Sequence, residues 1–465
     1  MKMKKLFSSL FFVLVSGYAA GQSFIVDGIR YNPVEGMLDA CEVTSPGAGV
    51  YGGDIVIPSS VSYDGREYIV SGIGGYAFAN GETITSVTLP STTGYIGRNA
   101  FSGCVALTEI TLPNNVLEVG EQAFYNCISL SSVNAQGIVK IGNSAFSGCT
   151  VLKDVQFGDE TEKFGNNVFK NCRYLESYEF PAGAELGSGI FAGCTSLTYA
   201  ALPPGTENIP SSTFLDCVAL KEVVNTENVV TIGENAFQTC RSLQTFDFGK
   251  DIRRIGDHAF AFCSDLSITS IEATEAVIGD MAFAGCTSLQ DISMNGIAEV
   301  GVEAFANDSE LKSISFDSTI HRIREKAFVN CDALESVGCY APDPPFLALN
   351  AFDTSTYRSA VLEVETGTGL LYKQSPPWSY FIHVTERKEN SGIESVKEQD
   401  DFPIVSCSRG MLTVNGEKCR ISVYTLSGEI IFQGEKNVGE WTLQVPRNEV
   451  LVVNYKDQKF KILSE

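Results

Sequence analysis

CVALTEITLPNNVLEVGEQAFYNC, residues 104–127, is one copy of a unit that recurs through most of the chain. Within it Leu107, Ile110 and Leu112 are apolar at i, i+3 and i+5, and Ile110 and Leu112 share one face of an extended segment. Pro113 lacks the N–H that a ladder bond needs, so it ends that strand. Val116 and Val119 make a second inward step, and Gly120 allows a positive φ or a close approach of backbone. Glu121 to Asn126 reads as a short helical turn that buries Ala123 and Phe124.

Phe recurs at 78, 101, 124, 146, 169, 191, 214, 237, 260, 283, 305, 328 and 352, in steps of 22 to 24 residues. Cys follows three residues later at 104, 127, 149, 172, 194, 217, 240, 263, 286 and 331. Leu follows that slot by three, as at Leu107, Leu130, Leu152 and Leu175. One such coil cannot bury its apolar face alone, so the copies must stack, with Leu, Phe and Cys ladders running down the inside. About 13 coils at about 4.8 Å each make an array about 60 Å long.

The pattern L-x-x-V-x-L…C resembles a leucine-rich repeat, and the full unit IGxxAFxxCxxLxxVxLP resembles the BspA-type family of exported bacterial surface proteins, over about residues 71–356. The resemblance implies an α+β, β-rich fold. Its parts are a solenoid over 71–337, an N-terminal β cap over 22–70 and a C-terminal cap over 338–386. Caps are expected because open ends would expose the ladders. Asp27-Gly28 and Asp64-Gly65 are hairpin turns of the first cap. The second departs from the family's Val-Pro step at Val364-Glu365-Thr366. Copies are unequal: Ile190 and Thr213 replace Ala, Pro210 and Arg324 take the Gly slot, and Asp308 takes a Cys slot. Residues 183–214 read as a drifted, weak joint, with a bend or docking site as the alternative.

The ends differ from the array. Lys2, Lys4 and Lys5, the apolar run Leu6 to Val15 and small residues to Gly21 have the layout of a secretory signal peptide over 1–21. That run is too short to span a bilayer, and no other segment is long and apolar enough, so no membrane span is expected. Residues 387–401 are polar and aperiodic and read as a linker. Residues 402–465 alternate apolar and polar at Leu412, Val414, Ile421, Val423, Ile430, Phe432, Leu443, Val445, Leu451 and Val453, with turns expected at Asn415-Gly416 and Ser427-Gly428. This is a small antiparallel β-domain. Its run ISVYTLSGEIIFQG resembles the sorting modules of Bacteroidota type IX export substrates, but PRNEVLVVNY stands where those carry Gly-x-Tyr. A sorting module and a plain β-domain both remain open.

Lys plus Arg is 33 and Asp plus Glu 56, so removing the three leader lysines leaves 30 − 56 = −26. That balance excludes non-specific nucleic-acid binding and docking on anionic lipid. The 14 Cys show no C-x2-C pairs, so a metal is not indicated, and the ladder thiols read as buried and reduced. Cys407 and Cys419 are a candidate pair across a hairpin. His258, His321 and His383 fall at variable, solvated positions. There is no H-E-x-x-H, G-x-S-x-G, Walker or G-x-G-x-x-G motif. The expectation is a protein that is not an enzyme and carries no cofactor or metal, with a hydrolase as a remote alternative.

The outward positions of the main strand form a long, polar, mildly acidic face. Its candidate binding residues are Glu109, Asp154, Glu179, Tyr199, Glu222, Asp247 and Asp291. Solenoids bind partners on such faces, and hydroxyls with carboxylates suit an extracellular protein or a hydrated glycan. The family resemblance adds adhesion, with a location at the cell surface, secreted or in the periplasm. The alternative is a structural spacer of the cell envelope that presents its ends.

Overall fold

A computed structural model describes residues 22–47, 50–387, 404–408, 411–416, 419–425, 429–436, 439–446, 449–455 and 458–464. The expected signal peptide and linker residues 388–401 lie outside these. The chain divides into two units, one ending at Arg387 and the other beginning at Lys388.

In the first unit most coils carry a leading strand, such as Glu109–Thr111, and a two-residue trailing strand, such as Glu118–Val119, while Ser270–Ile278 and Asp291–Val300 each run through both positions. Both pair in parallel with their counterparts one coil away: Ile110 with Val133, Val119 with Ile96 and Ile141. Leu107, Ile110, Leu112, Val116, Val119, Phe124 and Cys127 all point inward and are buried. The Phe rings stack near-parallel, as Phe101 on Phe124 at 5.0 Å and 2°. The stack ends on ring edges, where Tyr357 and Phe381 of the C-terminal cap meet Phe352 at 77° and 73°. The aromatic column is thereby closed rather than left facing water. The cap itself holds the helices Thr354–Ser359 and Gly369–Gln374.

Residues 121–126 are not a helical turn. Gln122 and Asn126 have φ of 55° and 57°, in the left-handed region that an α-helix excludes. Alternate amides reach the next coil, Gln122 N–H to Asn143 O at 2.8 Å and Phe124 N–H to Ala145 O at 2.8 Å. Those between bond locally, Ala123 N–H to Gly120 O at 3.2 Å and Tyr125 N–H to Gln122 O at 3.1 Å. A helix would satisfy its amides within itself; here half of them form a third stacking ladder. Gly120 is in the crowded case: a Cβ there would sit 2.7 Å from Arg98 N.

The Gly slot also explains the joint at 183–214. Its amide donates to the coil before, as Gly120 to Ile96 O and Gly187 to Phe164 O at 2.8 and 2.9 Å. Arg324 keeps that bond, to Val300 O at 3.0 Å. Pro210 has no N–H to give Leu186 O, and the trailing ladder breaks between Glu185–Leu186 and Asn208–Ile209. The turn ladder runs through, with Phe191 N–H to Thr213 O at 2.9 Å.

At the N-terminal cap, Asp27-Gly28 and Asp64-Gly65 take positive φ and join antiparallel strands as expected. The second unit has two antiparallel sheets around Leu412, Val414, Ile421, Val423, Val445, Leu451 and Val453. Ile430 is exposed, because a register shift between Val423 and Tyr424 breaks the alternation there. Asn415 and Gly416 end the strand Met411–Gly416 rather than forming a turn. Cys407 is opposite Leu412 and Cys419 opposite Lys436, so those two do not face one another across a hairpin.

Candidate binding face

The parallel register sorts the candidate residues into two rows. Glu109, Ser132 and Asp154 are successive rungs of one row. Ser177, Tyr199 and Glu222 hold the same offset in the next sheet, and Asp291 leads Ser313 and Ser336 further on. Glu179 does not join Tyr199; it is level with Ala201 in the second row, two residues along each strand. Asp247 shares that second-row offset, four residues past Leu243. Tyr199 is half-buried and the six carboxylates are exposed. Three of these are already engaged: Asp291 accepts from Ser313 Oγ at 2.5 Å, Asp247 from Gly249 N–H at 2.9 Å, and Asp154 from Gln156 Nε2 at 3.3 Å.

Sequence reasoning missed a second aromatic. Tyr174 is exposed just before the strand Ser177–Glu179, with Lys153 Nζ 5.5 Å from its ring centroid. It also missed that the face is segmented. Asp154–Phe157 does not pair with Ser177–Glu179. Large rings fill the inward slots there: Phe157 lies 5.9 Å from Phe146 and 6.1 Å from Phe169, and Phe146 to Phe169 opens to 6.0 Å.

The trailing strands point a different row outward, with Glu118 level with Lys140 and Lys163 level with Glu185. Both signs of charge mix on that side, with Lys140 level with Lys163 between the two glutamates, whereas the leading face is acidic and hydroxylated. Among the described residues no group of three His, Cys, Asp or Glu is gathered to hold a metal ion. The ladder thiols are buried and unbridged, each donating to a Phe carbonyl one coil back, as Cys127 Sγ to Phe101 O at 3.1 Å. Burial pushes the Cys104 thiol up to about 12, so no reactive thiolate is on offer. His321 and His383 are exposed and His258 is half-buried. No described helix is long and apolar enough to cross a membrane.

A stacked parallel solenoid with a Leu, Phe and Cys core defines a leucine-rich repeat protein. The profile of the BspA type leucine rich repeat region matches in six copies over residues 71–198 and 207–335, more than half of the chain, and the chain belongs to that family. Among solved structures, a leucine rich cell surface protein from Faecalibacterium prausnitzii is 22% identical, with a TM-score of 0.43, covering 78% of this chain and 98% of its own. A leucine-rich repeat protein from Bacteroides ovatus is 23% identical, with a TM-score of 0.32, over 64% of this chain and 98% of its own. A leucine rich repeat protein from T. pallidum is 26% identical, with a TM-score of 0.35, over 48% of this chain and 91% of its own. No curated protein sequence matches the chain.

Proposed function

We propose that the chain is an exported binding protein that captures an extracellular protein or glycan on the outward face of its leading strands, in the service of adhesion. The observation that carries this reading is the row that register builds from Glu109, Ser132 and Asp154, continued at the same offset by Ser177, Tyr199 and Glu222. Side chains at that offset point outward in these six coils, so a large partner meets many weak polar contacts at once. The signal-like start and membership of the BspA-type family support export and a place outside the cell.

The test is a pull-down of the chain from Gln22 onward against immobilised extracellular proteins and glycans at several salt concentrations. Charge reversal at Glu109, Glu179 and Asp247 should abolish capture; unchanged capture would remove the face from the account. A second reading, an envelope spacer working through its ends, is favoured by exposed Leu38 and Val56 in one cap and Leu370 and Ile382 in the other. End-to-end association that depends on these residues, measured by light scattering, would select it.

A further inference from the structure

One coil of the leading face is built unlike its neighbours. Residues 245–248 alternate outward, inward, outward, inward, as a strand does. Yet among the described residues no backbone hydrogen bond reaches the N–H or C=O of Thr245, Phe246, Asp247 or Phe248. Toward the following coil, Ser267 N–H to Gln244 O at 2.9 Å is the last bond before the gap, and Thr274 N–H to Ile252 O at 3.4 Å the first after it.

Both sides of the gap have a local cause. On one side the strand Glu222–Val224 stops at Asn225, whose φ of 65° turns the chain away where other coils have an apolar residue. On the other side Ile268 faces inward and Thr269 outward, the reverse of Asp291 and Ile292 one coil on. The result is an open cleft of ≈ 320 Å³ lined by Thr245, Asp247, Ser267, Thr269, Ser270 and Glu272 over a floor of Phe246 and Phe248.

The chemistry of this lining is selective. It has hydroxyls, two carboxylates and no cation, so it disfavours anions. Asp247 Oδ1 accepts from Gly249 N–H at 2.9 Å and Glu272 Oε1 from Asn295 Nδ2 at 2.8 Å. Each carboxylate is thereby oriented, with its second oxygen unbonded among the described residues. An added β-strand has no room. Core rings on either side of Phe260 stay 4.9 and 5.2 Å away, whereas a strand inserted between two coils needs about 4.8 Å on each of its own sides. A ligand must enter from the face, be compact, and offer many hydroxyl groups to carboxylates and free backbone amides.

We propose that this cleft is a subsite for a neutral saccharide ring. The proposal rests on the leading face being the binding surface and names the ligand class for one part of it. In an open cleft the unpaired amides and carbonyls need polar partners, and the hydroxyl groups of a polyol supply them in place of solvent.

Saturation-transfer NMR on the chain from Gln22 onward tests this, using neutral monosaccharides, uronic acids and a capped extended pentapeptide as probes. Transfer to neutral sugars is expected. Thr269→Trp, which fills the cleft from an exposed position, should abolish it, and Asp247→Ala should weaken binding by about tenfold or more. Thermal unfolding reports whether each variant is folded, and Ser267→Tyr replaces Thr269→Trp if that variant is not. No transfer to any neutral sugar, transfer confined to the uronic acids or the peptide, or transfer that survives the filled cleft would overturn the proposal. Glu109 and Glu179 lie outside the cleft, so the wider reading fails separately: capture lost on reversing them, with no saccharide signal in the parent chain, removes the subsite alone.

Discussion

Asp308 stands in the slot that ten other coils give to Cys, and it is fully buried. Its Oδ1 accepts the Cys286 amide at 2.7 Å, while Oδ2 has no partner among the described residues. Burial pushes this carboxyl well above its ordinary range. The folded chain therefore keeps a proton that the unfolded chain releases at about pH 3.9. Above that pH the unfolded state binds fewer protons, so stability falls as pH rises toward the folded pKa, by at most about 1.4 kcal/mol per pH unit. Below about pH 4 both states are protonated and the effect vanishes. Asp308→Asn retains the Oδ1 acceptor and removes the titration. Thermal unfolding of both proteins from pH 4 to pH 7 should show the variant gaining on the parent as pH rises above 4. Taking the difference between the two cancels every other titrating group. A constant difference across that window would mean the carboxyl ionises in place without cost, which refutes the reasoning.

Three further outcomes follow from the ladders. Phe191 is buried between Phe169 at 5.7 Å and Phe214 at 5.6 Å, so Phe191→Ala should cost about 3–5 kcal/mol in denaturant unfolding, and a change near zero would sink that register. Pro210→Ala supplies the missing donor to Leu186 O; the new amide should exchange as slowly as that of Gly233, and fast exchange would place the cause of the break elsewhere. The ladder thiols should resist maleimide in the native chain and react fully in guanidinium, whereas rapid native labelling would contradict their burial.

How much of this was legible is best seen residue by residue. The Leu, Phe and Cys period carried the stack directly, since each sits at a fixed inward slot of every coil. The turn misled because Ala123, Phe124 and Cys127 have the spacing of a helix face, while the contrary signal was Asn126 opposite Gly148 in the next coil. Asn126 is one of the few residue types that tolerate a positive φ, and its Oδ1 occupies the space that a Cβ at position 148 would need. Pro210 was visible, but its effect depends on a bond that only the stacked neighbour reveals. The two-row split of the face follows from counting outward from Leu175 and Leu243, whereas the gap at 245–248 needs two separate irregularities, at Asn225 and Thr269, to fall on the coils either side of it. Ile430 was misplaced because a register shift leaves no mark in an alternating pattern.

With Cys407 and Cys419 replaced by Ser, the twelve buried native thiols make one direct measurement available. A single surface Cys can be introduced at Glu222, on the leading face, or at Lys170, exposed on the turn side, and coupled to a bulky polyethylene glycol. Capture of each conjugate by immobilised extracellular proteins and glycans is then compared with that of the unmodified chain. The account predicts that the adduct at 222 abolishes capture and the adduct at 170 leaves it intact. Capture retained with the adduct at 222, or lost only with the adduct at 170, would contradict it.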